Sequence, residues 1–500
     1  MTRYLAGAIA ATFRDIALLP GENREGPAVD RGKVRAAVAD GWAGRVLPSL
    51  AGLVEIPALS PAFDASWEAN GHLRAAAEHV RDWIAARDLP GAHCEIVELG
   101  GRSPLLLVDV PATEQATDRG TVILYGHLDK QPPAGAWSEG LGPWKPVFRD
   151  GRLYGRGAVD DGYSGYAATT ALEAVHAAGG EHARAVLLLE TGEESGSPDL
   201  PAYMEHLRGR LGDVTFVVCL DAGAGDYGRL WLTSSLRGLV QATLTVRVLE
   251  AGQHSGLASG IVPSSFRIIR QLLDRLEDSA TGEVTIGEMA VTIPAGRRAE
   301  AEAAAALTPG AVRRLYPLAA GMRPAADDDV ELILNNTWRP ALSVIGASGL
   351  PEPEVAGNVL RASTSLVLSF RIPPLADAKA ARTAVESILT TDVPYGAQVE
   401  LSGWKAENGW NAPAMAPWLA AALGQVGEDV FGSPHRSIGI GGSVPFMELL
   451  GRLYPRAQFL VTGALGTDSN MHVPDEWLNI RFAEQVTEAV AHIVDAHARG

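Results

Sequence analysis

Three apolar runs, residues 121–125 (TVILY), 185–190 (AVLLLE) and 215–220 (TFVVCL), each stop at side chains able to hold a metal. The first empties into Gly126-His127-Leu128-Asp129, the second into Thr191-Gly192-Glu193-Glu194 and the third into Asp221-Ala222-Gly223. Runs this short and this uniformly apolar read as strands buried on both faces of a sheet. In open α/β sheets, ligands bind at the carboxyl ends of such strands. Helix-like stretches at 162–178 and 200–211 alternate with the runs, as a mostly parallel sheet requires. The expected class is therefore α/β, with three polar strand ends gathered at one edge.

The motifs at those ends suit metal chemistry. His127 and Asp129 lie two apart where a strand runs out, so both can project to one side. A ligating imidazole usually gives its second ring proton to a carboxylate or carbonyl, and Asp129 is placed to take it. Asp160 lies in Gly155-Arg156-Gly157-Ala158-Val159-Asp160-Asp161, and His472 in Asn470-Met471-His472-Val473-Pro474-Asp475-Glu476, ahead of a terminal helix. With Asp160, Glu194 and Asp221 ionised and His127 and His472 neutral, the set carries three negative charges, which no interior tolerates unpaired. Two divalent ions would bring four positive ones, and a hydroxide nucleophile would cancel the excess. Five ligands for two ions must share. Oxygen and imidazole donors without cysteine admit zinc, manganese or cobalt. Glu193 diverges from its neighbour Glu194 and is left free to act as general base toward water.

In that order and combination the residues resemble the carnosinase and dipeptidase branch of the dinuclear zinc peptidases, a group that also includes aminoacylases, glutamate carboxypeptidases and succinyl-diaminopimelate desuccinylase. The resemblance runs from the helix around residues 34–54 to His472. It implies a zinc-peptidase catalytic domain with an inserted α+β lid that also dimerises. By the same resemblance His127 and Asp221 bind one ion, Glu194 and His472 the other, and Asp160 bridges them. Asp129 orients and Glu193 is the base. His254, in Gly252-Gln253-His254-Ser255-Gly256, corresponds to a lid histidine that stabilises an oxyanion, often across a dimer interface. Arg371 corresponds to a lid arginine that pairs with a substrate carboxylate, and His254 and Ser443 offer two smaller polar groups suited to the same carboxylate. Asn358 resembles a turn near the substrate and carries no assigned role. Two departures stand out. Gly162-Tyr163 follows the paired aspartates where dipeptidases usually carry lysine. Ile440 stands in Gly439-Ile440-Gly441-Gly442-Ser443 where the dipeptidase branch places a glutamate against the substrate's free α-amino group. An ammonium left unpaired against isoleucine costs on the order of a few kcal/mol.

A chain of 500 residues exceeds one core, so more than one domain is expected. The division implied is 1–234 for the first part of the catalytic domain (with 1–32 as an N-terminal extension), 235–405 for the lid, and 406–500 for the catalytic remainder. Alternation at 239–248 and 365–372, with the amphipathic run 265–276 between them, marks the lid. Residues 282–328 read as a partly helical elaboration of it. Helices are expected at 414–431 and 481–499. The net charge of −17 argues against nucleic acid and anionic membrane as partners. Cys94 and Cys219 read as free thiols, no run spans a bilayer, and residues 4–13 read as an amphipathic helix rather than a secretory signal. A cytoplasmic homodimer follows as the expectation. Its substrate would be a small amide or peptide with a free carboxylate, as for a dipeptidase. Acyl-amino-acid hydrolysis is the alternative, and non-catalytic binding on the same scaffold a remote one.

Overall fold

The computed structural model describes residues 29–316 and 318–500. The helix expected at residues 4–13 lies outside them. The central sheet runs His93–Val97, Leu105–Val110, Arg184–Glu190, Thr121–His127, Val214–Cys219, Gln458–Val461. Its first two joins are antiparallel and its last three parallel. Every residue of Thr121–His127 is buried, which explains why that run shows no alternation. Helices Ser164–Ala177 and Ile480–Arg499 pack on one face, and Leu200–Leu211 with Pro445–Leu453 on the other. The fold is thus the expected α/β class with a mostly parallel sheet.

The second unit is an antiparallel sheet ordered Ala341–Ser348, Ser363–Ile372, Gly238–Arg247, Gln398–Glu407. Along Gly238–Arg247, alternate residues are buried, and Val240, Leu244 and Val246 pack with Ile268, Ile269 and Leu272 of helix Ser265–Leu273 and Val385 and Leu389 of helix Ala378–Thr390. The strand Ala341–Ser348 was not anticipated. It forms an exposed edge, with a register shift between Val344 and Gly346, so burial leaves no two-residue pattern in its sequence.

The segment read as a lid elaboration does something else. Helix Ala295–Leu307 turns Ala301 and Ala304 inward, one helical turn apart, and helix Asp329–Thr337 turns in Ile333 and Leu334. All four join the core of the catalytic unit, not that of the antiparallel sheet. These helices cover strand Arg436–Ile440, which pairs in parallel with Trp231–Leu236.

Candidate metal centre

His127 is the last residue of its strand and fully buried. The residue before it must be glycine, because a Cβ on Gly126 would lie 2.0 Å from Ser164 Oγ and 2.6 Å from Asp161 Oδ2. That close approach lets Asp161 accept the His127 backbone N–H at 3.2 Å. The His127 ring is oriented through Nδ1, which lies 3.1 Å from the Asp129 carbonyl and 3.5 Å from its carboxylate. Nε2 faces Asp160 Oδ1 at 3.3 Å and Asp221 Oδ2 at 3.7 Å; a proton there bonds Asp160, and its loss would free the lone pair for a metal ion. Asp129 has a second task. Its two carboxylate oxygens accept the backbone N–H groups of Glu193 and Glu194 at 3.2 and 3.0 Å, which fixes the short helical turn carrying both acids.

Asp160 stands between the two imidazoles. Its Oδ1 faces His127, and its Oδ2 lies 2.9 Å from His472 Nε2, which is also 3.2 Å from Glu194 Oε2. Gln131 donates to the same Glu194 oxygen at 2.8 Å. Glu476 was quoted in the sequence motif but given no role, and the structure supplies one. It is fully buried, pairs with Arg156 at 2.5 Å, and accepts backbone N–H groups from Gly157, Val159 and Asp160 at 2.9 to 3.4 Å. Arg156 donates in turn to the Val473 carbonyl at 3.1 Å, so one ion pair ties the Asp160 loop to the His472 loop. In the latter, Asn470, His472 and Asp475 all have positive φ, a conformation that non-glycine residues hold only when their surroundings enforce it. Ser138 helps by donating to Asp475 from both its backbone and its hydroxyl. A signal existed for Glu476 in its place directly after a ligand loop, but an acid there reads equally well as surface.

The departure at Gly162 has a steric cause. A Cβ at that position would lie 2.4 Å from the Gly157 carbonyl, so no lysine fits. Tyr163 next to it donates to Leu220 O at 2.5 Å and accepts from Ala464 N at 2.9 Å, tying this turn to the strand that ends at Asp221.

Charge accumulates at the centre. Burial first, and then the charge of Asp221, push Glu193 well above the usual carboxylate range; burial and Asp160 raise Glu194; burial lifts Asp221 to about 7. Asp160 goes the other way. Burial would raise it, but hydrogen bonds from His127 and His472 lower it below its ordinary value. Burial opposes a charge on His472 too, yet its bonds to Asp160 and Glu194 raise it to about 10. Protons on the imidazoles thus do the electrostatic work that cations would do. The donor set fits divalent metal ions on one further observation: Glu194 Oε1 is buried without a hydrogen-bond partner, a lone pair aimed where an ion could take it. Ligand atoms of His127, Glu193 and Asp221, and of His127, Asp160 and Glu194, form two sets lying within 4.8 Å of one another.

The residues expected to bind substrate are arranged differently. Arg371 Nη1 donates to Ser443 Oγ at 2.8 Å and pairs with no carboxylate among the described residues. Behind it is Arg237, 6 % exposed, which bonds only carbonyls, those of Gly441, Asn335 and Arg339. Burial, then the like charge of Arg371, pull Arg237 down to about 10. Sequence reasoning missed Arg237. Ile440 is half-buried, and its backbone carbonyl accepts from Arg237 N at 3.3 Å. His254 is exposed on a two-residue strand paired with Val359–Leu360, beside Asn358. Its Nδ1 accepts from Gly256 N at 3.1 Å, and it makes no hydrogen bond or ion pair with the metal-ligand cluster.

A parallel sheet presenting histidines and carboxylates at its strand ends, around a buried carboxylate shared by two imidazoles, defines a metal-dependent hydrolase. The model of peptidase family M20/M25/M40 matches residues 123–496, and the chain belongs to that family. Cysteinylglycine-S-conjugate dipeptidase of Corynebacterium striatum is 27 % identical over 386 residues, covering 76 % of this chain and 82 % of that protein. Beta-Ala-His dipeptidase of Homo sapiens is 25 % identical over 372 residues, covering 72 % and 71 %. The crystal structure of human carnosine dipeptidase 1 has the same fold, with a TM-score of 0.73 at 21 % identity over 95 % of this chain and all of that one. Among the described residues no helix is long and apolar enough to cross a membrane.

Proposed function

We propose that the chain hydrolyses the amide bond of a small substrate bearing a free carboxylate, in the manner of a dipeptidase. The observation that carries this is Asp160 held between His127 and His472, with a Glu193 carboxylate oxygen close to His127 and Asp221. Two divalent ions, zinc first with manganese or cobalt as alternatives, would be held by His127 with Asp221 and by Glu194 with His472, sharing Asp160, and would polarise the scissile carbonyl and the attacking water. Glu193 takes the water's proton and hands it to the leaving amine. Asp129 holds His127 and the Glu193–Glu194 turn in register. Arg371 and Ser443 receive the carboxylate of the leaving amino acid, a role supported by the absence of an acidic partner for Arg371 among the described residues. His254 completes the oxyanion site of a partner subunit in a lid-mediated homodimer. This reading is supported by its exposure and by exposed Leu257, Ile261 and Val359 nearby. Residence in the cytoplasm is part of the proposal and agrees with free Cys94 and Cys219.

A second reading, hydrolysis of N-acyl amino acids, is favoured by Ile440, which offers an ammonium no counter-charge. The relatives named as dipeptidases favour the first. One experiment separates them: kcat/KM of the zinc-loaded protein for free dipeptides against N-acyl amino acids of equal size, with metal content measured on the same sample. Hydrolysis of neither by protein holding two ions would overturn both readings.

A further inference from the structure

A cavity of about 420 Å3 opens on the catalytic unit beside strand Arg436–Ile440. One wall is Ile438 and Ile440; the other is built by the covering segment, through Leu315, Tyr316, Leu318 and Leu332. Its floor begins at Gly223, two residues beyond Asp221, where an added Cβ would lie 3.6 Å from Ile440 Cδ1. The chain that carries Asp221 thus runs directly into the lining of this cavity. Leu315, Tyr316 and Leu318 are 48 to 59 % exposed, apolar surface left open among the described residues. Arg313, which also lines the space, is no free charge, since its guanidinium is held by Asp329 Oδ1 at 2.8 Å and by the Asp327 carbonyl. Thr337 on the same wall has its hydroxyl taken by the Ile333 carbonyl at 2.7 Å, and the side chain of Asn336 makes no hydrogen bond among the described residues. Apolar lining with few polar groups is the make-up of a small-molecule site.

We propose that this cavity receives a hydrocarbon acyl chain of several carbons on the acyl side of the scissile bond, so that among N-acyl amino acids those with medium-length chains are the better substrates. The inference rests on the hydrolase reading above and deepens its N-acyl form. Ser443 lies three residues past Ile440 and bonds Arg371, so the carboxylate end and the apolar end of one substrate would flank the same loop.

The test is a series of one amino acid carrying acetyl, butanoyl, hexanoyl and octanoyl groups, assayed on the zinc-loaded protein and titrated calorimetrically into the Glu193→Gln variant. Each added methylene should raise kcat/KM and tighten binding about three- to fourfold until the cavity fills. Replacing exposed Leu315 and Leu318 together by serine should cut the octanoyl-to-acetyl ratio at least about tenfold. Turnover without dependence on chain length, or an unchanged ratio in the double variant, overturns the cavity assignment alone. Binding that tightens with chain length without turnover of any substrate supports the cavity and overturns the hydrolase reading. Neither binding nor turnover overturns both.

Discussion

The catalytic layer and the lid hold their polar residues in opposite ways. At the strand ends, His127, Asp129 and Asp160 are all at most 5 % exposed, each fixed by at least one backbone or side-chain partner, and the cluster is complete within one chain. In the antiparallel unit, His254 is exposed and its side chain bonds only within its own turn, while Arg371 has a single hydroxyl partner among the described residues. The first region is preorganised and overcharged. Bound cations would neutralise it. The second leaves its polar groups largely unpartnered among the described residues. Catalytic centres gain most from groups that need no reorganisation during the reaction, whereas positioning groups on a lid act after substrate is bound.

Breaking the shared carboxylate should have the largest effect. Asp160→Ala removes the one group that faces both imidazoles, and we expect loss of both ions and of all measurable activity. Metal analysis of the purified variant decides it: retention of one full equivalent would show that Asp160 serves a single ion. Chelation of the wild-type protein should likewise lower its Tm, and restored zinc should raise it, because bound ligand stabilises the folded state by mass action. An unchanged Tm would mean that the acids are already neutralised by protons alone.

Next in size is the separation of the adjacent acids. Glu193→Gln should keep the metals and lower kcat by at least about a hundredfold, since an amide cannot accept the water's proton. Glu194→Gln should instead weaken metal binding, as its Oε2 sits against His472 and its Oε1 has no other partner. Exchanged phenotypes would exchange the roles.

For the lid, mixing inactive His254→Ala and Glu193→Gln subunits should recover activity in verified heterodimers, because one of the two sites then receives both intact residues. No recovery would return His254 to its own subunit's site, and a strictly monomeric protein would remove the shared site altogether.

The same contrast sets what could be read from the sequence. The strand ends were legible because a strand buried on both faces is a continuous apolar run, and a polar residue stopping it is conspicuous: His127, Glu193 and Asp221 all follow that rule. Glu476 was not. Its carboxylate works through backbone N–H groups of a loop more than three hundred residues away in sequence, and no local pattern encodes that. The edge strand Ala341–Ser348 was invisible because it is exposed, and helix Ala295–Leu307 was placed on the wrong unit because an alanine face reveals close packing without naming its partner. Arg237 lies between two recognised strands and is buried by carbonyl contacts that any sequence could provide.

The smallest effect concerns the cationic end. Arg371→Lys keeps a positive charge near Ser443 but replaces a planar fork with a point charge, so a bidentate grip on a carboxylate becomes a single contact. Arg237 remains behind it, buried, with its Nε and Nη1 held by carbonyls, and adds its positive field. KM for carboxylate-bearing substrates should therefore rise about tenfold with kcat little changed, while substrates whose carboxylate is amidated, already poor, should be indifferent to the substitution. A fall in kcat at constant KM would instead place Arg371 at the transition state, and the lid would then share in the preorganisation that the catalytic layer displays.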